Sequence, residues 1–337
     1  METNEKDTQS APGARGAVMF SGGLDSMLAA LVLRDQGCEV VGITFASPFF
    51  SPRQAKASAA EIALPLEIVD FTDDILSLVE HPKHGFGGAL NPCIDCHARM
   101  IMRAGEIVRD RGWDFIATGE VLNQRPMSQN KRSLEMVAKD CGLADILIRP
   151  LSAQLLDETE VERKGILDRS RLLALEGRNR KAQMELAAKF GIAKYPSPAG
   201  GCLLTEKLFS NKLALLRNNG RLRDLKAVSL LKYGRHFLLP GGAKAIVGRN
   251  SSENEAMREI AKDGGYLVLR PIGVPGPTTL IEDSAAAEDL DTAVRLCAGY
   301  SDKVPEKVRI RVFQGETLLE ERAVEPLPRE EARGWLL

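Results

Sequence analysis

The stretch "GAVMFSGGLDSMLAALVLRDQG", residues 16–37, decides the fold. Its first five residues are an apolar run of strand length. A Ser/Gly turn follows, and apolar residues then recur at helical spacing until Gly37. The alternation continues. "EVVGITF" (39–45), "LEIVDF" (66–71) and "DFIATGE" (114–120) read as strands, and residues 52–64 and 98–112 read as helices. Strands that are apolar throughout, separated by helices, predict an α/β domain whose parallel sheet is covered on both faces. Ligands of such sheets bind beyond the carboxyl ends of the strands. Here those ends are Ser21–Ser26, Thr44–Ser47, the 72–97 loop and Thr118–Gln124.

"SGGLDS" (21–26) has the parts of a phosphate cradle. Gly22 and Gly23 permit a tight turn and close backbone approach. Asp25 and Ser26 open a helix whose free N–H groups and positive dipole end face the loop. Ser21 and Ser26 add hydroxyl donors, so the segment suits an anion. It lacks the Gly-Lys-Ser/Thr ending of a Walker A loop and the spacing of a dinucleotide fingerprint. The plainer alternative is a Ser/Gly turn with Asp25 as helix cap.

The chain has 337 residues, enough for about two domains. No apolar run approaches the ~20 residues that span a bilayer. The polar start, "METNEKDTQSAPGARG", predicts a disordered leader over 1–15 rather than a signal peptide, and a cytoplasmic protein with no membrane partner. In that compartment cysteines more often bind metal or do chemistry than form disulfides. Net charge is −1, unevenly spread: residues 163–249 hold 19 Lys and Arg against 5 Asp and Glu. A basic stretch of this kind points to a polyanionic partner, or else to a solvated face.

"NPCIDCHARM" (91–100) is compatible with haem attachment, half a zinc site, a redox dithiol or part of an iron–sulfur ligand set. Of the six cysteines, Cys38, Cys141 and Cys297 sit in apolar patterns and read as small buried hydrophobes. Cys93, Cys96 and Cys202 instead follow Pro and Gly, in segments that leave thiols accessible. His81 and His84 read as a solvated pair, and His236 as a residue facing phosphate. No nucleophile–His–acid set is evident.

The "SGGLDS" motif resembles the PP-loop of the ATP pyrophosphatases. Together with "NPCIDCH", "ATGEVLNQRP", "GRNRKAQMELAAKFGI" and "PSPAGGC", it makes residues 16–205 similar to the tRNA thiouridylases, both the 2-thiouridine (MnmA/TrmU-like) and the 4-thiouridine (ThiI-like) branches. The resemblance implies a parallel-sheet HUP/PP-loop nucleotide-binding domain of the adenine nucleotide α-hydrolase type. It implies ATP and Mg²⁺ as cofactors, tRNA as partner, and sulfide or a persulfide carrier as sulfur donor. ATP would adenylate a uridine or other pyrimidine carbonyl with release of pyrophosphate, and sulfur would then displace AMP. The nucleotide-binding residues so implied are Ser21, Gly22, Gly23, Leu24, Asp25, Ser26, Thr44, Phe45, Gly119, Arg180 and Lys181. Asp25, Cys96 and Cys202 would be catalytic. Three thiolates from Cys93, Cys96 and Cys202 suit a [4Fe–4S] cluster with one open iron. With His97 as fourth ligand they would suit zinc. A cluster-free persulfide enzyme, a PP-loop amide ligase or amidotransferase acting on a small molecule, and a non-enzymatic RNA-binding factor are the alternatives.

Residues 206–240 read as a basic connecting segment, and 241–337 as a smaller α+β domain ending in the strand "KVRIRVF". "VGRNSSEN" (247–254) followed by "PGP" resembles the RNA-binding module of the NFACT proteins, although "YLVLRP" stands where that module usually has a Trp-His pair.

Overall fold

Short parallel strands organise the first of two units, Met1–Lys207. The computed structural model describes residues 13–125, 127–197, 201–302 and 305–337. Residues 1–12 of the expected leader, and Pro198–Gly200 ahead of Cys202, lie outside these. The order is β1 (Arg15–Met19), α1 (Leu24–Asp35), β2 (Glu39–Ala46), α2 (Arg53–Glu61), β3 (Leu66–Asp70), α3 (Thr72–Glu80), α4 (Cys93–Asp110), β4 (Phe115–Thr118), α5 (Lys131–Cys141), β5 (Leu147–Ile148), α6 (Glu160–Arg163) and α7 (Lys181–Lys189).

The five strands pair in parallel in the order β3-β2-β1-β4-β5. Strand order reverses between β1 and β4, the position where open α/β sheets bind ligands. On one face, Met27, Leu28 and Leu33 of α1 pack with Ala55 and Ala59 of α2 and Ala187 of α7. On the other, α4 turns Ala98, Ile101, Ala104 and Val108 inward and packs on β1 and β4. Gly105 lets α5 close on α4, since a Cβ there would meet Leu143 Cδ1 at 2.2 Å. α3 falls inside what the sequence suggested was loop. Its signals are ordinary: Asp70 Oδ1 accepts from the N–H and hydroxyl of Thr72, and Ile75, Leu76 and Val79 form one apolar stripe.

The second unit, Leu208–Leu337, is a six-stranded antiparallel sheet with helices on both faces. Its elements are α8 (Lys207–Asn218), α9 (Leu225–Leu230), β6 (Arg235–Leu238), β7 (Lys244–Val247), α10 (Ser251–Ala261), β8 (Tyr266–Ile272), β9 (Thr279–Glu282), α11 (Ala287–Gly299), β10 (Val308–Gln314), β11 (Thr317–Val324) and α12 (Arg329–Ala332). The strand order is β11-β10-β8-β9-β7-β6. α11 buries Ala293, Val294, Leu296 and Cys297 on one face, and α10 sets Met257 and Ala261 on the other. Asn250 caps α10 by accepting from Glu253 N at 3.0 Å. Residues 208–240, expected to connect two domains, are counted in this unit, and β6 is one of its edge strands. "KVRIRVF" is not the last strand. β11 pairs beyond it along a mostly exposed edge, where a buried apolar face is not required. Among the described residues, no helix is long and apolar enough to cross a membrane.

One glycine couples the sheet to the loop after β1. A Cβ on Gly119, just past β4, would stand 2.6 Å from Ser26 N and 2.7 Å from Asp25 C, with no flexible side chain to yield. Gly119→Ala should therefore cost about 1–3 kcal/mol. Gly88→Ala, which meets open space, should leave the urea midpoint unchanged. Equal midpoints for the two variants would show that this approach is not tight.

Candidate functional site

The loop after β1 is built by contacts on three sides. Gly22 has φ +79°, and a Cβ there would lie 2.7 Å from the Ala55 backbone. Its carbonyl accepts from Ser58 Oγ at 2.7 Å, so α2 pins the turn. Gly23 N donates to Ser21 Oγ at 3.3 Å, and Ser26 Oγ donates to the Gly23 carbonyl at 2.8 Å. Asp25 lies in the first turn of α1 but does not cap it; the N-cap position is Gly23. Its Oδ2 accepts from Gln124 Nε2 at 3.0 Å. Burial pushes the Asp25 carboxyl up, against the Gln124 bond and the charges of Arg180 and Arg125. Asp25 Oδ1, Gln124 Oε1 and Arg180 Nε are buried with no hydrogen-bond partner among the described residues. Two buried acceptors and one buried donor around a phosphate-type loop are what a metal-bound polyphosphate would satisfy. The residues fit a nucleotide with its cation.

The expected nucleotide residues separate into two groups. Ser21, Gly22, Gly23, Asp25, Ser26, Gly119 and Arg180 gather at the loop. Leu24 is 1% exposed and points into the core, so only its backbone can serve a ligand. Thr44 is buried, and Phe45 packs edge-on against Phe71 at 5.2 Å between centroids. Lys181 is exposed and pairs with Glu185 along its own helix at 3.8 Å. Gln124 and Arg125, which the sequence reading did not single out, belong at the loop.

Cys93 and Cys96 lie in the first turn of α4 rather than in a loop. α4 packs on β1 and leads into β4 through a short turn, so its first turn stands at the carboxyl edge of the sheet. Asn91 Nδ2 donates to Cys93 Sγ at 3.1 Å while its Oδ1 accepts from Ala89 N at 2.9 Å. Cys202 reaches the same edge, where Leu203 N donates to the Phe49 carbonyl, just past β2, at 3.0 Å. Burial pushes the Cys96 thiol well up, and Cys202, Cys93 and Asp95 add to this electrostatically. Cys202 rises to about 11, from burial first and with Cys93 contributing. Cys202 and Cys93 thus both bear on Cys96, and Cys93 on Cys202. The basic residues of the 163–249 stretch do not offset this rise at Cys202.

Glu120 joins the cysteine helix to the end of β4. Its carboxylate accepts from Arg149 Nε at 2.9 Å and from Thr118 Oγ1 at 3.1 Å, and lies 3.4 Å from His97 Nδ1. Burial would raise its pKa, but Arg149 and His97 outweigh that and hold it down at about 2. His84 is not solvated as expected. Its Nδ1 meets Asp95 Oδ1 at 2.5 Å and its Nε2 lies 3.4 Å from Asp140 Oδ2, with Lys83 on the same carboxyl group at 2.8 Å. These three groups have metal-ligating atoms within 4.8 Å, but the bonds clamp the 81–92 segment onto α4 and α5. His236 is also corrected: it is buried, its Nε2 meets the Tyr233 carbonyl at 2.9 Å, and burial with the charge of Lys212 lowers it to about 3. Cys38, Cys141 and Cys297 are buried with raised pKa values, as small hydrophobes should be.

Much of the basic run is already engaged. In the first unit Arg169 pairs with Glu162, Arg171 with Asp35, and Lys164 with Glu160. In the second, Arg221 pairs with Asp224 and Glu282, Arg249 with Glu253, and Lys212 and Lys226 donate to backbone carbonyls.

Residues 13–163 match the family model described as "Thiamine biosynthesis protein (ThiI)", and residues 234–336 match "NFACT protein RNA binding domain". The chain is 30% identical over 137 residues to a tRNA-specific 2-thiouridylase MnmA of Pelobacter propionicus, covering 36% of this chain and 38% of that protein. It is 28% identical over 162 residues to a probable tRNA sulfurtransferase of Clostridium acetobutylicum, covering 44% and 39%. The aligned stretch thus spans about two-fifths of the length of these relatives. Among solved structures, a 4-thiouridine synthetase–RNA complex with bound ATP is 20% identical, with a TM-score of 0.36 over 64% of this chain and 52% of that one.

The Glu120 carboxyl titrates near 2 in the folded protein against an ordinary 4.5, so its stabilisation is full above pH 4.5 and is lost as pH falls toward 2. Glu120→Gln should cost about 3 kcal/mol at pH 7. The gap between variant and wild type should narrow below pH 4.5 in urea titrations. A gap that is constant with pH would contradict the ion pair.

Proposed function

We propose that the protein is an ATP-dependent tRNA sulfurtransferase. The observation that carries this reading is the meeting of two chemistries at one sheet edge. Segment 118–124 bonds Asp25 of the phosphate-type loop through Gln124 and faces His97, the neighbour of Cys96, through Glu120. The relatives named above support tRNA as substrate, and the match at 234–336 supports RNA binding by the second unit.

A pyrimidine carbonyl is a poor electrophile toward sulfur because oxide is a poor leaving group. The carbonyl oxygen attacks the α-phosphorus of ATP, the ring nitrogen gives up its proton, and pyrophosphate leaves. Backbone N–H groups at Gly22–Asp25, the Ser21 and Ser26 hydroxyls and Arg180 hold the departing phosphates. Asp25 would hold the accompanying Mg²⁺, which would shield charge on the departing pyrophosphate. The base must leave its stack to reach this edge. Sulfur then attacks the activated carbon and AMP departs as a phosphate monoester.

Cys93, Cys96 and Cys202 would hold a [4Fe–4S] cluster. When bound, that cluster would supply an open iron to carry sulfide. One feature of the donor set favours it over a bare persulfide pair. Half-buried thiols with raised pKa values are poor nucleophiles at neutral pH, whereas metal coordination deprotonates them. Sulfide or a persulfide carrier is the donor in this reading, and the cytoplasm is its compartment.

Anaerobically purified protein given ATP, sulfide and unmodified tRNA should form a thiolated nucleoside detectable by mass spectrometry, and should contain iron. Cys96→Ala and Cys202→Ala should lose thiolation but keep tRNA-dependent pyrophosphate release, and Asp25→Asn should lose both. Thiolation by Cys202→Ala at the wild-type rate would reject the cysteine site. Full thiolation by iron-free protein would reject the cluster alone.

A further inference from the structure

Gln124 is placed by an unusual backbone. Asn123, just before it, has φ +60°, a left-handed conformation that Asn tolerates better than most residues. The turn is held on both sides: Asn123 N donates to the Gln129 carbonyl at 2.7 Å, and Asn123 Nδ2 donates to Glu176 Oε1 at 2.7 Å. Leu122 N donates to Ser152 Oγ at 3.0 Å. This bracing carries the Gln124 side chain to the first turn of α1, where Nε2 donates to Asp25 Oδ2.

That bond fixes which way the amide faces. An ionised carboxylate can only accept, so the amide must present its nitrogen to Asp25. Gln124 Oε1 is then left as an acceptor, buried and unpartnered, and Asp25 Oδ1 is in the same condition. Arg180 and Arg125 act on Asp25 through space and leave Oδ1 without a bond. Two directly bonded side chains therefore each bury one oxygen with nothing to receive. Buried acceptors cost free energy unless something answers them. A hard divalent cation binds carboxylate and amide oxygens alike.

We infer that Gln124, through Oε1, joins Asp25 in holding the divalent cation that accompanies the triphosphate. This rests on the nucleotide-site reading above. Gln124 has two tasks: its nitrogen fixes Asp25, and its oxygen serves the metal. Arg180, with its unpartnered Nε, is left for the phosphate oxygens.

The test uses the full chain with Mn²⁺ as probe, reading free Mn²⁺ by electron paramagnetic resonance with and without ATP, and ATP alone in EDTA. Wild type, Gln124→Met and Gln124→Glu are compared, with melting curves for each. Gln124→Met should weaken Mn²⁺ in the ATP complex by about 10–100-fold. Its binding of ATP in EDTA should fall far less than its binding of Mn²⁺. Gln124→Glu sets a second carboxylate beside Asp25, so it should bind Mn²⁺ at least as tightly as wild type and gain more melting temperature from it. Wild-type Mn²⁺ affinity in Gln124→Met, or equal loss of ATP binding with and without metal, would overturn the inference while leaving the nucleotide site standing. Absence of ATP binding by wild type in every condition would remove both. If Gln124→Met does not fold, Gln124→Glu decides: Mn²⁺ binding at least as tight as wild type supports the site, and weaker binding overturns it.

Discussion

Glu120 is a carboxylate buried at the end of a central strand, and the site is arranged around what it costs to keep it charged there. Arg149 supplies the counter-charge and His97 a second contact. A buried ion pair gives little net stability but is costly to break. Its effect is to fix position. The strand end cannot shift without separating the pair, so Gly119 stays against the backbone of Asp25 and Ser26 while Gln124 stays bonded to Asp25. The first turn of the cysteine helix is held by the same group through His97. One short segment thus sets the distance between a phosphate-type loop and a set of thiols that are far apart in the chain.

The thiols impose a second constraint. Burial makes Cys96 and Cys202 reluctant to ionise, and Cys93 adds to the rise at both. Left alone they are inert; brought into the coordination of a metal they become strong ligands. Cys93 and Cys96 stand at a helix N-terminus, where the Asn91 amide already points a donor at Cys93. The basic run resolves in a similar way. Arg169, Arg171, Arg221 and Arg249 are spent on internal ion pairs, so the charge available to a polyanion is smaller than the raw count of 19 suggests.

What could be read from the sequence was local. Of the first unit's strands, β1, β2 and β4 were legible because they are largely buried and therefore continuously apolar, whereas the two-residue β5 is too short to show a pattern. The phosphate-type loop was legible because only glycine suits the backbone at Gly22, which has φ +79°. The helical placement of Cys93 was missed because the Pro and Gly around it look like loop signals, although Pro at a helix start is common. Glu120–Arg149 and Asp25–Gln124 span 29 and 99 residues and follow no spacing rule. Neither pair could be found before the fold brought its members together. His236 misled for the same reason: a histidine next to an arginine looks placed to meet phosphate until a sheet closes over it.

The central claim is that activation by the nucleotide loop and sulfur delivery by the cysteines act on one carbon. The most direct measurement follows label from [α-³²P]ATP with unmodified tRNA under anaerobic conditions, first without sulfide and then with it. The account predicts that label becomes covalently attached to tRNA while sulfide is withheld. Adding sulfide should then release it as AMP in step with the appearance of thiolated nucleoside. Thiolation that proceeds without label ever reaching tRNA, or label that sulfide cannot chase, would contradict it.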